Sequence, residues 1–245
     1  MDTESSSEDE KVVIYPIQSH KTMLDYYNSL LPEMIPKIPL STLICGARNS
    51  GKTTALINLV VRYYSRIYKQ RYIYLFSPSV YLDPQYKLLD CNKFEEFDES
   101  LVQKLMDDLK KSIKEYGKDR TPRCLIMLDD IISDPNTHNS HSLISSLYIK
   151  GRHYNCDVIL LSQSLTMVST SIRKNSLSII LFNSNEAEKE VILKEFGSRA
   201  VKKQMYNMMD YVFNERYNSL YIDLTAHKEE RFIKNFNEYL NYKNF

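Results

Sequence analysis

Short apolar runs recur along the chain with polar, turn-rich spacers between them. Leu40–Cys45, Arg71–Phe76, Cys124–Leu128, Val158–Leu161, Leu177–Phe182 and Ser219–Leu224 are each short enough for a strand. Several carry no alternating polar positions, the pattern of strands covered on both faces, as in a parallel sheet clothed by helices. Between them the spacing changes. Glu99 to Tyr116 places Leu101, Leu105, Leu109 and Ile113 one helical turn apart and ends at Gly117, which predicts an amphipathic helix. Further helices are predicted over Lys52–Ile67, Ser140–Lys150, Ala187–Phe196 and Arg199–Met209, with a closing helix over Glu229–Tyr242. Strands alternating with helices predict a doubly wound α/β fold, mostly parallel, with helices on both faces.

The start of the chain reads differently. Residues 1–11 are acidic and serine-rich, offer little to bury and predict a disordered tail. Residues 12–39 predict a short helix over His20–Leu31, then an irregular connection forced by Pro32, Pro36 and Pro39. Residues 40–245 remain as one domain, and 245 residues suit one α/β domain better than two.

Composition narrows the partners only slightly. A net charge of +1 argues for no polyanion partner, so any nucleic-acid role needs other support. Cys45, Cys91, Cys124 and Cys156 are widely spaced, and three sit in apolar runs, which predicts buried thiols in a reducing, intracellular compartment. No stretch is long and apolar enough to span a bilayer, so no membrane role is expected. Scarce glycine and abundant Tyr, Asn, Lys and Ile fit an AT-rich genome.

The chemistry begins at the end of the first run. Gly46-Ala47-Arg48-Asn49-Ser50-Gly51-Lys52-Thr53 fits the phosphate-loop pattern at every fixed position, between a predicted strand and a predicted helix. Its two glycines let successive N–H groups turn inward into an anion nest, and the helix N-terminus adds unpaired donors. Lys52 brings a mobile positive charge to the β- and γ-phosphates, the Thr53 hydroxyl is a ligand for Mg2+, and Thr54 completes the loop's set of contacts. ATP with Mg2+ is the expected cofactor pair.

A triphosphate site needs an acidic partner at the end of another buried strand. Leu125-Ile126-Met127-Leu128-Asp129-Asp130 supplies one, with Asp129 expected to hold Mg2+ through a water and Asp130 to orient or deprotonate the attacking water. Ile159-Leu160-Leu161-Ser162-Gln163 ends a further strand in polar side chains. Gln163 is the expected γ-phosphate sensor if that strand lies between the other two, and Ser162 is the second choice. Arg152 and Arg173 are the candidate arginine fingers reaching a neighbouring subunit's γ-phosphate.

These blocks occur together in one order: the Gly-Ala-Arg-Asn-Ser-Gly-Lys-Thr-Thr loop, Leu-Asp-Asp, the Gly151-Arg152-His153-Tyr154-Asn155 segment, Leu-Ser-Gln, and Ile172-Arg173-Lys174-Asn175. In this the chain resembles the genome-packaging ATPases of large DNA viruses, within the FtsK–HerA superfamily, over roughly Leu40 to Leu224. Its length and acidic start look most like packaging ATPases of Sputnik-type virophages. The resemblance implies a RecA-like core, a ring of five or six copies and ATP-driven movement of double-stranded DNA into a preformed capsid. It also implies docking on a capsid vertex protein and action in a virus factory of the host cytoplasm, with association to the virion. By motif it places Lys52 and Thr53 on phosphate and magnesium, Asp129 on magnesium, Asp130 in the catalytic carboxylate's place and Gln163 in the sensor's. The superfamily more often has Glu where Asp130 stands. Arg199, Lys202 and Lys203, or the Ser133–Ser140 loop, are candidates for the DNA-facing pore.

Two other functions fit a phosphate loop. A nucleoside-type kinase would close an arginine-rich lid over an acceptor, and the segment from Phe182 to Asp210 has the length with a single Arg. A non-hydrolytic assembly factor would bind ATP only to lock subunits together.

Overall fold

A computed structural model describes residues 21–131, 143–197 and 202–245. The predicted tail over residues 1–11, the Ser133–Ser140 loop and Arg199 lie outside the described residues.

Among the described residues nine strands form one sheet. In chain order they are β1 (Ser41–Gly46), β2 (Ile73–Phe76), β3 (Asn92–Phe94), β4 (Cys124–Asp129), β5 (Cys156–Ser162), β6 (Ser178–Phe182), β7 (Ser219–Asp223), β8 (Phe232–Lys234) and β9 (Glu238–Leu240). The order across the sheet is β3-β2-β4-β5-β1-β6-β7-β8-β9. The first six in that order are parallel, and β7 to β9 continue the sheet antiparallel.

Successive strand residues point to opposite faces, and each face has its own core. Leu43, Ile126, Leu128, Val158, Leu160, Ile179 and Leu181 pack under α3 (Glu99–Tyr116), α4 (Leu143–Lys150), α6 (Glu186–Glu195) and α7 (Lys202–Phe213). Ile44, Leu125, Met127, Ile159, Leu161 and Ile180 pack on the other side against α2 (Lys52–Arg62). The N-terminal segment joins that second core. Beyond α1 (Met23–Ser29), Leu31, Ile35 and Ile38 are buried in it, and Tyr64 donates its hydroxyl to the Pro36 carbonyl at 2.9 Å. The stripe of α3 is Val102, Met106 and Leu109, each contributing about 1.5–3 kcal/mol by leaving water. Cys45, Cys124 and Cys156 are buried free thiols.

At the start of the central strands, Asp157 collects Arg123 Nη2 at 2.7 Å, Arg123 Nε at 2.8 Å, the Tyr68 hydroxyl at 2.8 Å and the Leu40 N–H at 2.7 Å. A buried carboxylate with this many donors is fully satisfied. It ties the entry of β5 to the entries of β1 and β4, which sets the height at which their opposite ends emerge.

The predicted closing helix is not formed. Phe232–Lys234 and Glu238–Leu240 pair as a hairpin on the sheet's far edge, followed by a single 3-10 turn at Tyr242–Asn244. The cause is local. Asn235 and Phe236 both have positive φ, 52° and 59°, and the Asn237 N–H reaches the Lys234 carbonyl at 3.1 Å, closing a primed hairpin turn. Two further elements were not predicted from the sequence: β3, and the short α5 (Thr170–Asn175) capped by the Ser169 side chain. The helix predicted to reach Ile67 stops at Arg62 and gives way to a 3-10 turn at Tyr64–Arg66. Among the described residues no helix is long and apolar enough to cross a membrane.

Candidate functional site

The sheet order puts β5 between β1 and β4, so three polar strand ends emerge side by side. Register makes this concrete: Asp129 of β4 lies opposite Leu161 of β5, and Ser162 of β5 lies opposite Cys45 of β1.

Gly46 closes β1 against β6. A Cβ there would sit 2.5 Å from the Phe182 carbonyl oxygen, so no side chain fits. Gly51, at φ 107°, stands at the N-cap of α2 in the left-handed region that glycine adopts without steric cost. Between them the loop folds on itself through a Ser50 N–H to Ala47 carbonyl bond of 3.3 Å. The Lys52 ammonium, 8% exposed, donates to the Gly46 carbonyl at 2.8 Å and the Ala47 carbonyl at 3.0 Å. The lysine thus lies folded along the loop whose anion it is suited to bind.

Across the loop, the Thr53 hydroxyl donates to Asp129 Oδ2 at 3.4 Å. The Tyr86 hydroxyl, brought by the 3-10 turn Pro84–Leu88 that follows β2, donates to the same oxygen. Asp129 is 5% exposed, and burial raises its carboxyl above the ordinary carboxylate value. The Tyr86 hydrogen bond opposes that rise, the Asp130 charge adds to it, and Lys52 and Thr53 oppose it. Asp130, exposed and at φ 55°, accepts from Gln163 Nε2 at 3.3 Å. The predicted residues Lys52, Thr53, Asp129, Asp130 and Gln163 therefore gather at one end of the sheet. Thr54 faces outward from the same helix turn and donates to Gln85 Oε1 at 3.0 Å.

Ser162 turns into its own loop, donating to the Ser164 carbonyl at 2.9 Å, which leaves Gln163 as the side chain beside Asp130. That turn is held by Glu188, whose Oε1 accepts from Ser164 Oγ at 2.7 Å and from the Leu165 N–H at 2.8 Å.

The two arginines part company. Arg173 is 8% exposed and bonds Glu195 through Nη2 at 2.7 Å and Nε at 3.0 Å. An arginine finger needs a free guanidinium at a surface, so the geometry corrects the reading of Arg173: it joins α5 to α6 within its own chain. Arg152 is exposed and lies before the start of β5, at the opposite end of the sheet from Gln163. Seven strand residues at about 3.3 Å each put it roughly 20 Å away within one copy.

Residues that sequence reasoning missed stand around this centre. Tyr86 and Gln85 come from a loop with no motif, and Glu188 reads in sequence as an ordinary helix-cap partner. Arg216 and Tyr217 line the cavities beside the loop and come from a turn far along the chain.

Comparison with known proteins decides the family. A family described as Poxvirus A32 protein matches residues 28–231. The chain belongs to the poxvirus A32 protein family. Among its relatives, the DNA packaging protein OPG160 of Variola virus is 27% identical over 195 residues, covering 77% of this chain and 70% of the relative. The DNA packaging protein OPG160 of Vaccinia virus, strain Copenhagen, is 26% identical over 193 residues, covering 76% of this chain and 69% of the relative. In fold, the chain is similar to the genome packaging NTPase B204 of Sulfolobus turreted icosahedral virus 2 in complex with AMP. The TM-score is 0.55 at 14% identity, with 75% of this chain and 92% of that one covered. It is also similar to the pCW3 conjugation coupling protein TcpA with ATPγS, at a TM-score of 0.56 and 15% identity, covering 81% of this chain and 60% of that one. These fold likenesses agree with the α/β, mostly parallel sheet expected from the strand pattern.

Proposed function

We propose that this member of the A32 family hydrolyses ATP to move double-stranded viral DNA into a capsid. One observation carries the reading. The phosphate loop, the Thr53–Asp129 contact of 3.4 Å and the Asp130–Gln163 contact of 3.3 Å stand on neighbouring strand ends, as binding and hydrolysis at one triphosphate require. The names of the poxvirus relatives supply the DNA-packaging part.

In this mechanism Lys52 leaves the Gly46 and Ala47 carbonyls and pairs with the β- and γ-phosphates, while loop N–H groups take the remaining oxygens. The hard oxygens of Thr53 and Asp129, 3.4 Å apart, would hold Mg2+, Thr53 directly and Asp129 through a water. The ion would supply charge neutralisation on the phosphate oxygens. Gln163 donates to a water held against Asp130, and the Asp130 carboxylate takes that water's proton as its oxygen attacks the γ-phosphorus. ADP leaves with the bridging oxygen. Water attack suits this pair of polar side chains better than an acceptor hydroxyl does, which favours hydrolysis over kinase chemistry.

Nucleotide sites of this kind mature between copies in a ring, and Arg152 is proposed to enter the neighbouring copy's site, since it is out of reach of its own. Docking on a capsid vertex protein, action in the host cytoplasm and the nearness to Sputnik-type virophage motors belong to the same proposal and rest on the sequence resemblance. The test is phosphate release by the assembled protein with Mg2+, with and without duplex DNA. Turnover stimulated by DNA and abolished in Lys52→Ala is expected. Turnover indifferent to DNA would overturn the motor reading, and phosphate transfer to a nucleoside would replace it with a kinase.

A further inference from the structure

Two cavities flank the phosphate loop, and the turn between α7 and β7 lines both. One, of about 350 Å³, runs over Lys52, Thr53 and Gln85 to Arg216 and Tyr217. The other, of about 300 Å³, runs from Asn49 past Asn183 to the same two residues. The hydrolytic chemistry accounts for the end of this space at Lys52 and Thr53. It leaves the Arg216–Tyr217 end without a task.

Three features of that end are unusual. Tyr217 holds φ at 72°, in the left-handed region where a bulky aromatic residue is an outlier. Such strain persists where the surroundings impose it, and it concentrates at ligand sites. The ring is 58% exposed although it lies against the loop, its Cδ1 3.6 Å from where a Cβ on Gly51 would be. The Arg216 guanidinium stacks on it at 4.7 Å from the ring centre, which pairs a flat cation with a flat π face.

A flat heterocycle carried on a triphosphate matches these features: it offers a face to stack on the exposed Tyr217 ring, and the cavities that the turn lines are continuous with the phosphate nest. We propose that Tyr217, backed by Arg216, forms the shelf on which the purine base of the bound nucleoside triphosphate stacks. This rests on the reading that the loop binds a triphosphate, and it deepens that reading by assigning the base its own subsite.

The experiment compares Mg·ATP with Mg·tripolyphosphate, which has the phosphates and no base, by calorimetry on the full chain. Tyr217→Ala is expected to weaken ATP about tenfold, equivalent to about 1.4 kcal/mol, and to leave tripolyphosphate within about twofold. Tyr217→Phe, which keeps the aromatic face, is expected to bind both ligands as the parent does. Equal weakening of both ligands in Tyr217→Ala would mean the turn merely shapes the loop, and no change in either would mean the base lies elsewhere. Both results overturn the proposal. Lys52→Ala separates it from the reading beneath: if that variant binds both ligands normally, the phosphate site itself is wrong. The chain contains no tryptophan, so Tyr217→Trp adds a single reporter that needs no loss of packing. Its emission is expected to respond to ATP and not to tripolyphosphate, and an unchanged signal with ATP overturns the stacking.

Discussion

Tyr86 and Asp129 are 43 residues apart in sequence, yet the tyrosine hydroxyl donates directly to the aspartate Oδ2 that Thr53 also reaches. The contact stabilises a carboxylate that burial disfavours. Tyr86→Phe removes that donor and leaves a shielded acceptor short of a partner, at about 1–2 kcal/mol, or roughly 4 °C in melting temperature for a chain of this size. The loss is expected to shrink when Mg·ATP is added, because a water carried by the bound ion would donate to the vacated lone pair. Thermal melts of both proteins with and without Mg·ATP check this, and a loss unchanged by the ligand would count against it.

Asp129→Asn tests the same carboxylate in the opposite sense. Its folded-state carboxyl is raised above the unfolded value, so the folded state favours the protonated form, and stability attached to this group declines as pH rises through that range. A neutral amide escapes the cost. The nucleotide-free variant is expected to melt about 2–4 °C higher than the parent at pH 7, with the gap closing as both are taken to acid, while hydrolysis is lost. Calorimetric scans across pH would reveal a variant that melts lower, which is the contrary result.

Asp130→Asn separates chemistry from binding. The side chain keeps its size and an oxygen for Gln163, and it loses the basic site for the water's proton. ATP affinity is expected to stay within about threefold while kcat falls 10²–10⁴-fold, on the order of general-base contributions. Single-turnover kinetics beside equilibrium binding would show whether affinity collapses instead.

The two arginines give opposite expectations. Arg173→Ala strands Glu195 in a largely shielded site, at about 3 kcal/mol of stability by urea unfolding. Arg152→Ala touches an exposed side chain and is expected to change stability by less than about 0.5 kcal/mol, yet to lower turnover in the assembled protein. Mixing it with Lys52→Ala copies is expected to restore part of that turnover. Mixed assemblies with no recovery would leave Arg152 without a role in its neighbour.

The parts of the fold that read from sequence are those where burial on both faces suppresses polar residues. β1, β4, β5 and β6 are such strands, and the bounds of α3 follow from its spacing and from Gly117. β3 is three half-buried residues at a sheet edge and makes no apolar run. The hairpin after β7 escaped because Phe232, Ile233 and Leu240 also fit a helical spacing, and only the left-handed turn at Asn235 and Phe236 rules it out. That the phosphate loop, Asp129, Asp130 and Gln163 stand together at one end of the sheet is legible in sequence because each ends an apolar strand run. Tyr86, Tyr217 and the Arg173–Glu195 pair are not, since each depends on a partner that only the tertiary fold supplies.

β5 is zipped on both sides, to β4 over Cys156–Leu161 and to β1 over Val158–Ser162. Sliding it to move Gln163 would break ladders on two edges at once, at about 1 kcal/mol per bond. The economical moving parts are therefore the short tips beyond the strands. Under the hydrolysis proposed above, loss of the terminal phosphate would be felt first as a swivel of side chains at the rim, with the slab beneath them unbent.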